Sequence, residues 1–168
     1  MIVKIRPMDN EDRPFLVEIL QNTPEFKLSE VVVAEEVIDS YLHDFQQSDY
    51  HILVAEYDSD VVGYICYGPT PLAEGTWDIY WMVVAPEHQG KGIGAALLES
   101  AEKNIRGARG RLTIIETSSI PLYEKTRRFH SRHGYELVAR IPDFYAIGDD
   151  KLILQKQLIE TAIKEEKG

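Results

Sequence analysis

Met82-Val83-Val84-Ala85-Pro86-Glu87-His88-Gln89-Gly90-Lys91-Gly92-Ile93-Gly94-Ala95-Ala96-Leu97-Leu98 is the stretch on which the fold turns. It opens as the end of Thr76 to Val84 (Thr-Trp-Asp-Ile-Tyr-Trp-Met-Val-Val), whose aromatic and β-branched residues favour a strand. Pro86 stops that strand, and a helix is predicted from about Gly92 to Arg106, closed by Gly107 and Gly110. Between strand and helix, Gly90, Gly92 and Gly94 alternate. Glycines there let backbone N–H groups come close to an anion, and a helix N-terminus adds about half a positive charge. The pattern predicts a phosphate cradle, with Lys91 as an added flexible cation. A glycine-rich turn without a ligand is the plain structural alternative.

A dinucleotide fingerprint competes for the same residues. Gly90-x-Gly92-x-x-Ala95 fits its pattern, and Glu116 ends the next strand, where a ribose-binding acid belongs. Against it, Ala85 to Gln89 separate the strand from the first glycine, and the motif comes midway along the chain after three strands. The Gly-x-x-x-x-Gly-Lys-Ser/Thr phosphate loop is absent.

Working outward, Met1 to Met8 reads as a first strand. A helix capped by Asp9 or Asn10 runs to Asn22 with Phe15, Leu16, Ile19 and Leu20 on one face, and Thr23-Pro24 breaks it. A second helix starts near Ser29 and carries Val31, Val37, Ile38, Tyr41, Leu42 and Phe45. His51 to Tyr57 and Val61 to Tyr67 form a hairpin about Asp58-Ser59-Asp60. After the central helix come a strand (Arg111 to Glu116), a helix (Pro121 to His133), a strand (Gly134 to Ile141), a loop (Pro142 to Asp150), a strand (Lys151 to Ile159) and a polar tail. Without repeat, low-complexity block or linker, 168 residues read as one α/β domain with a mixed central sheet.

Composition narrows the function classes. A net charge of −10 disfavours nucleic-acid binding, which relies on cations neutralising phosphates. Residues 123 to 133 run against that balance with Lys125, Arg127, Arg128 and Arg132 against Glu124, a segment suited to a phosphorylated small molecule or simply to solvation. No segment approaches the ~18 apolar residues of a membrane span and no secretory leader is visible, so a cytoplasmic protein without a membrane partner is expected. Cys66, the single cysteine, sits in an apolar run and reads as a buried structural thiol. His43, His51 and His88 show no metal-ligand spacing, so no metal is expected.

The quoted stretch resembles the acyl-CoA-binding signature of the GNAT superfamily of N-acetyltransferases. The core Gln/Arg-x-x-Gly-x-Gly/Ala is matched at Gln89, Gly92 and Gly94, with Val-x-Pro before it at Val84 to Pro86. The order of elements is similar too, over about residues 1 to 159. This resemblance implies a mostly antiparallel sheet flanked by helices, in which two central parallel strands splay apart around acetyl-CoA, the acyl-donor cosubstrate. It implies that the backbone of Met82, Val83 and Val84 pairs with the pantetheine arm. N–H groups of Gln89, Gly90, Lys91, Gly92, Ile93, Gly94 and Ala95 would hold the pyrophosphate. The reaction implied is direct attack of a neutral amine on the thioester, through a tetrahedral oxyanion, with CoA thiolate leaving. The acceptor is then a small-molecule or peptide amine, and a homodimer is compatible with the resemblance alone.

An ammonium of pKa about 10 must first lose a proton. Asp78, an acid inside an apolar strand, stands where some members of the superfamily carry a catalytic Glu. Burial facing the cleft would raise its pKa, whereas a solvent-facing position or a turn hydrogen bond would make it structural. Glu116 is a second candidate base, with pairing to an arginine as its structural reading. The resemblance breaks in the next helix. Phe129, Gly134 and Tyr135 set the register, and His130 falls where the family's proton-donating Tyr belongs. An imidazolium could donate instead, Tyr123 on the same helical stripe could supply a hydroxyl, or the acid has been lost. Loss would leave a non-catalytic acyl-CoA sensor or interaction module on the same fold. His133 reads as a packing residue. The region of the first two helices and the loop with Asp143, Phe144, Tyr145, Asp149 and Asp150 is expected to border the acceptor.

Overall fold

The computed structural model describes residues 2–44 and 46–159, so Phe45 and the expected polar tail lie outside the described residues. Asp9 sets the first helical segment: its side chain accepts the Glu11 N–H at 2.9 Å while Asp12 accepts the Asp9 N–H at 2.8 Å, a reciprocal cap. Arg6, on strand β1 (Val3–Pro7), grips the same Asp12 at 2.7 Å. A 3-10 turn (Asn10–Asp12) then feeds α1 (Arg13–Gln21), and α2 follows (Leu28–His43), its start capped by Glu30 accepting the Lys27 N–H at 2.7 Å.

Strands β2 (His51–Tyr57) and β3 (Asp60–Pro69) are joined by Asp58 and Ser59, both left-handed with φ of 51° and 73°, the backbone of a tight two-residue hairpin. Then come β4 (Thr76–Val84), α3 (Ile93–Gly107), β5 (Leu112–Ser118), α4 (Glu124–Arg132), β6 (Glu136–Ala146) and β7 (Asp149–Gln157). Among the described residues the strands make one sheet in the order β1-β2-β3-β4-β5-β7-β6, antiparallel throughout except for the β4–β5 pair.

Strand alternation sends side chains to two cores. Leu53, Ala55 and Ile65 meet Ile93, Leu97, Leu98, Ala101 and Ile105 of α3 on one face. Ile52, Val54, Tyr64 and Cys66 meet Leu16, Leu20, Val31 and Ile38 of α1 and α2 on the other. Each such large side chain contributes roughly 1.5–3 kcal/mol on burial, more than the ~1 kcal/mol that Gly94 costs inside α3. Packing therefore outweighs the poor propensity at the glycine-rich start of this helix. Burial also pushes the Cys66 thiol pKa well up, in keeping with a structural role.

Two expectations are corrected. The segment read as a loop, Pro142 to Asp150, is mostly the end of β6 and a hairpin into β7. Pro142 and the left-handed Asp143 (φ 53°) break the ladder between Ile141 and Ala146, and side chains replace the missing bonds. Asp150 accepts the Asp143 N–H at 2.9 Å, and Asp143 accepts the Gly148 N–H at 2.7 Å. Tyr123, expected on one helix with His130, belongs to a separate 3-10 turn (Pro121–Tyr123), and α4 begins at Glu124.

Candidate active site

The site begins where the sheet parts. β4 and β5 pair only from Thr76 to Ile79 against Leu112 to Ile115. β4 nonetheless stays bonded to β3 as far as Val84, and β5 to β7 as far as Ser118. The register along β3 shifts so that Trp81 faces Cys66 and Ile79 faces Tyr67, leaving Tyr80 as an extra residue on β4. A bulge of this kind bends its strand, and β4 leaves β5 at that point. Backbone groups that would have paired across the two strands open instead into a cavity of about 990 Å³. Met82, Val83 and Val84 line it.

At the cavity's far end stands the glycine loop. Gly90 (φ 77°) and Gly92 (φ 81°) are left-handed, and a Cβ on either would meet no protein atom within 4 Å. Close packing therefore does not explain them; backbone conformation and open approach do. The first bond of α3 runs from the Ala96 N–H to the Gly92 carbonyl at 3.1 Å, leaving the N–H groups of Ile93, Gly94 and Ala95 outside the helical ladder. All three residues line the cavity, as do Gln89, Gly90 and Gly92. Gln89 fixes the loop: its amide donates to the Val84 carbonyl at 3.1 Å, and its oxygen accepts from Lys125 at 2.8 Å. These donors at a helix N-terminus suit a pyrophosphate. Lys91 is the member of the expected set that does not line the cavity; its ammonium lies 4.9 Å from the Tyr57 ring centroid and 3.4 Å from His88 Nδ1.

The candidate proton carriers line the same cavity. Asp78 is half-buried in the cavity wall and accepts a hydrogen bond from the Thr70 hydroxyl at 2.7 Å. Glu116 also lines the wall but is ion-paired to Lys151 at 2.7 Å, the partner being a lysine rather than the expected arginine. Tyr123 donates to the Glu25 carbonyl at 3.0 Å, tying the turn after β5 to the segment between α1 and α2. Burial first, then the charges of Glu30, Glu25 and Asp149, push the Tyr123 hydroxyl up to about 12.

His130 is 4 % exposed, edge-on to Phe129 and Tyr135, and it lines the cavity with Nδ1 unpartnered. Burial, helped by neighbouring His133, lowers its pKa to about 4. That shift favours the neutral ring over the expected imidazolium at pH 7. His133 packs at the end of α4 against Phe129, with ring centroids 4.3 Å apart. Sequence reasoning did not single out Glu25, between α1 and α2, or Glu30, in the first turn of α2, which both line the cavity. Their placement depends on contacts such as Tyr123 to Glu25, 98 residues apart, and no local pattern marks them.

The acetyltransferase (GNAT) family profile matches residues 14–135. A protein from Desulfovibrio desulfuricans assigned to the GNAT family of acetyltransferases superposes with a TM-score of 0.90 at 39 % identity, covering 94 % of this chain and all of the other. An uncharacterised N-acetyltransferase of Methanocaldococcus jannaschii is 33 % identical over 107 residues, 62 % of this chain. The chain matches just under two thirds of that relative, 64 % of its length. The PaiA N-acetyltransferase of Thermoplasma acidophilum, solved with coenzyme A, shares the fold at 19 % identity and a TM-score of 0.74, over 94 % of this chain and 99 % of its own. The profile match takes in the forked strands, the glycine loop and α4 together, and the chain belongs to the GNAT family of acetyltransferases.

Proposed function

We propose that this GNAT-family protein transfers the acetyl group of acetyl-CoA to a primary amine by direct attack in a ternary complex. The observation that carries the reading is the parting of β4 from β5 beyond Ile79 and Ile115, directly before a glycine cradle at the start of α3. The fold neighbour from Thermoplasma acidophilum and an aminoglycoside 6'-N-acetyltransferase were both crystallised with coenzyme A, which supports the choice of donor. In this reading the N–H groups of Gly90 to Ala95 hold the pyrophosphate, and the unpaired edge of Met82 to Val84 guides the pantetheine arm. An N–H on that edge polarises the thioester carbonyl and stabilises the oxyanion.

Asp78 takes the proton from the incoming ammonium, and the Thr70 hydroxyl holds its carboxylate in place. The Tyr123 hydroxyl, kept protonated by burial and surrounding negative charge, returns a proton to the departing thiolate. His130, neutral, is part of the same wall. The test is release of free thiol from acetyl-CoA in the presence of a panel of amines. Amine-dependent release supports the reading. Coenzyme A binding without release for any amine would replace it with a non-catalytic acyl-CoA sensor.

A further inference from the structure

The polar atoms of the cavity are unevenly satisfied. Among the described residues, two buried side-chain atoms lack a hydrogen-bond partner, Glu25 Oε2 and His130 Nδ1, and both belong to residues lining this cavity. Glu25, Glu30, Asp78 and Asp149 also line it, and none of the four has an ion-pair partner among the described residues. Glu30 accepts only the Lys27 N–H in its cap, Asp78 the Thr70 hydroxyl, and Asp149 the Ser118 hydroxyl. The cationic residues in the wall are Lys27, in the segment between Glu25 and Glu30, and Lys125, held by Gln89 at the glycine-loop end. Lys151 is occupied by Glu116. The charges of Glu25, Glu30 and Asp149 converge on Tyr123, and those of Glu30, Asp149 and Glu116 on Tyr145. Trp81, Tyr123 and Tyr145 add aromatic surface to the same wall.

Uncompensated carboxylates around a concave site raise the local concentration of cations, and an enclosed carboxylate oxygen without a donor is satisfied by an ammonium. Aromatic walls suit both an alkyl spacer and a cationic head. We infer that the acceptor carries a second cationic group, as in an α,ω-diamine or oligoamine, and that Glu25 and Glu30 hold its distal ammonium while the proximal amine reacts. This rests on the acetyl-transfer reading above and names its substrate class.

The experiment compares thiol release from acetyl-CoA for 1,4-diaminobutane and spermidine with that for butylamine and pentylamine, and adds an N-terminally blocked tripeptide whose one amine is a lysine. Expected is a kcat/KM at least tenfold higher for the diamines than for the matched monoamines, an excess that shrinks in high salt. In the Glu25→Gln/Glu30→Gln double variant that ratio falls toward one. Matched rates for monoamines and diamines in the unaltered protein would overturn the inference whatever the variant does. So would a ratio unchanged in a folded double variant, or a tripeptide that outpaces every small amine. In those cases transfer itself still stands. Absence of release with every amine would overturn the transfer reading and this inference with it.

Discussion

The two ends of the cavity are built from different material. Around Gly90 to Ala95 the groups offered to the cavity are backbone N–H donors, supplied by one short segment and held by one side chain, Gln89. Around Glu25, Glu30, Tyr123, Tyr145 and Asp149 they are side chains, brought together from the α1–α2 segment, the start of α2, the turn after β5 and the β6–β7 hairpin. A backbone cradle needs particular conformations at fixed spacing, which a sequence records locally. A side-chain pocket needs only that distant elements meet, and many sequences can arrange that. In the reading proposed above, the donor is therefore held by backbone conformation and the acceptor by side chains from distant elements.

Substitutions at the two ends should separate cleanly. The largest expected effect is at the fork: Asp78→Asn should lower kcat about a hundredfold or more while the calorimetric affinity for CoA stays within threefold. An equal loss in both would place Asp78 in donor binding rather than proton transfer. Next, Gly92→Val puts a β-branched residue at φ 81° with its side chain in open space before the cradle. Backbone strain and blocked approach together should weaken CoA by about 2–3 kcal/mol, with the fold retained.

A third expectation concerns His130. Its pKa is about 4 in the folded protein against 6.5 ordinarily. The unfolded chain binds a proton there below about pH 6.5 that the folded protein does not accept until about pH 4. Stability is complete above that window and falls as pH drops through it, by about 2 kcal/mol at pH 5. His130→Phe should flatten that part of the urea-midpoint profile and leave the alkaline side of the pH–rate profile unchanged. Loss of a rate limb near pH 6.5 would restore imidazolium as the acid. The smallest effect is expected at Lys91: with its ammonium turned to Tyr57, Lys91→Ala should change CoA affinity less than threefold.

The same contrast explains what the sequence disclosed. Thr76 to Val84 is legible as a strand because its composition is unambiguous, and Gly90, Gly92 and Gly94 are legible because few other purposes need glycines there. The end of β6 is not: Pro142, Asp143 and Asp150 read as turn residues, and only the hairpin shows Asp150 accepting the Asp143 N–H. The bulge at Tyr80 that opens the fork is set by register against Cys66 and Tyr67, a relation between two strands that neither carries alone. The neutrality of His130 comes from packing against Phe129 and Tyr135, so its position was predictable and its protonation state was not. Glu25 meets Tyr123, 98 residues away, through its backbone carbonyl, a contact no local pattern marks.

Amide hydrogen exchange tests most directly the claim that the donor is held by backbone. Adding coenzyme A should slow exchange across Gly90 to Ala95 and along Met82 to Val84, while a diamine added alone should leave those amides unchanged. Protection absent from Gly90 to Ala95 at saturating coenzyme A would contradict the account.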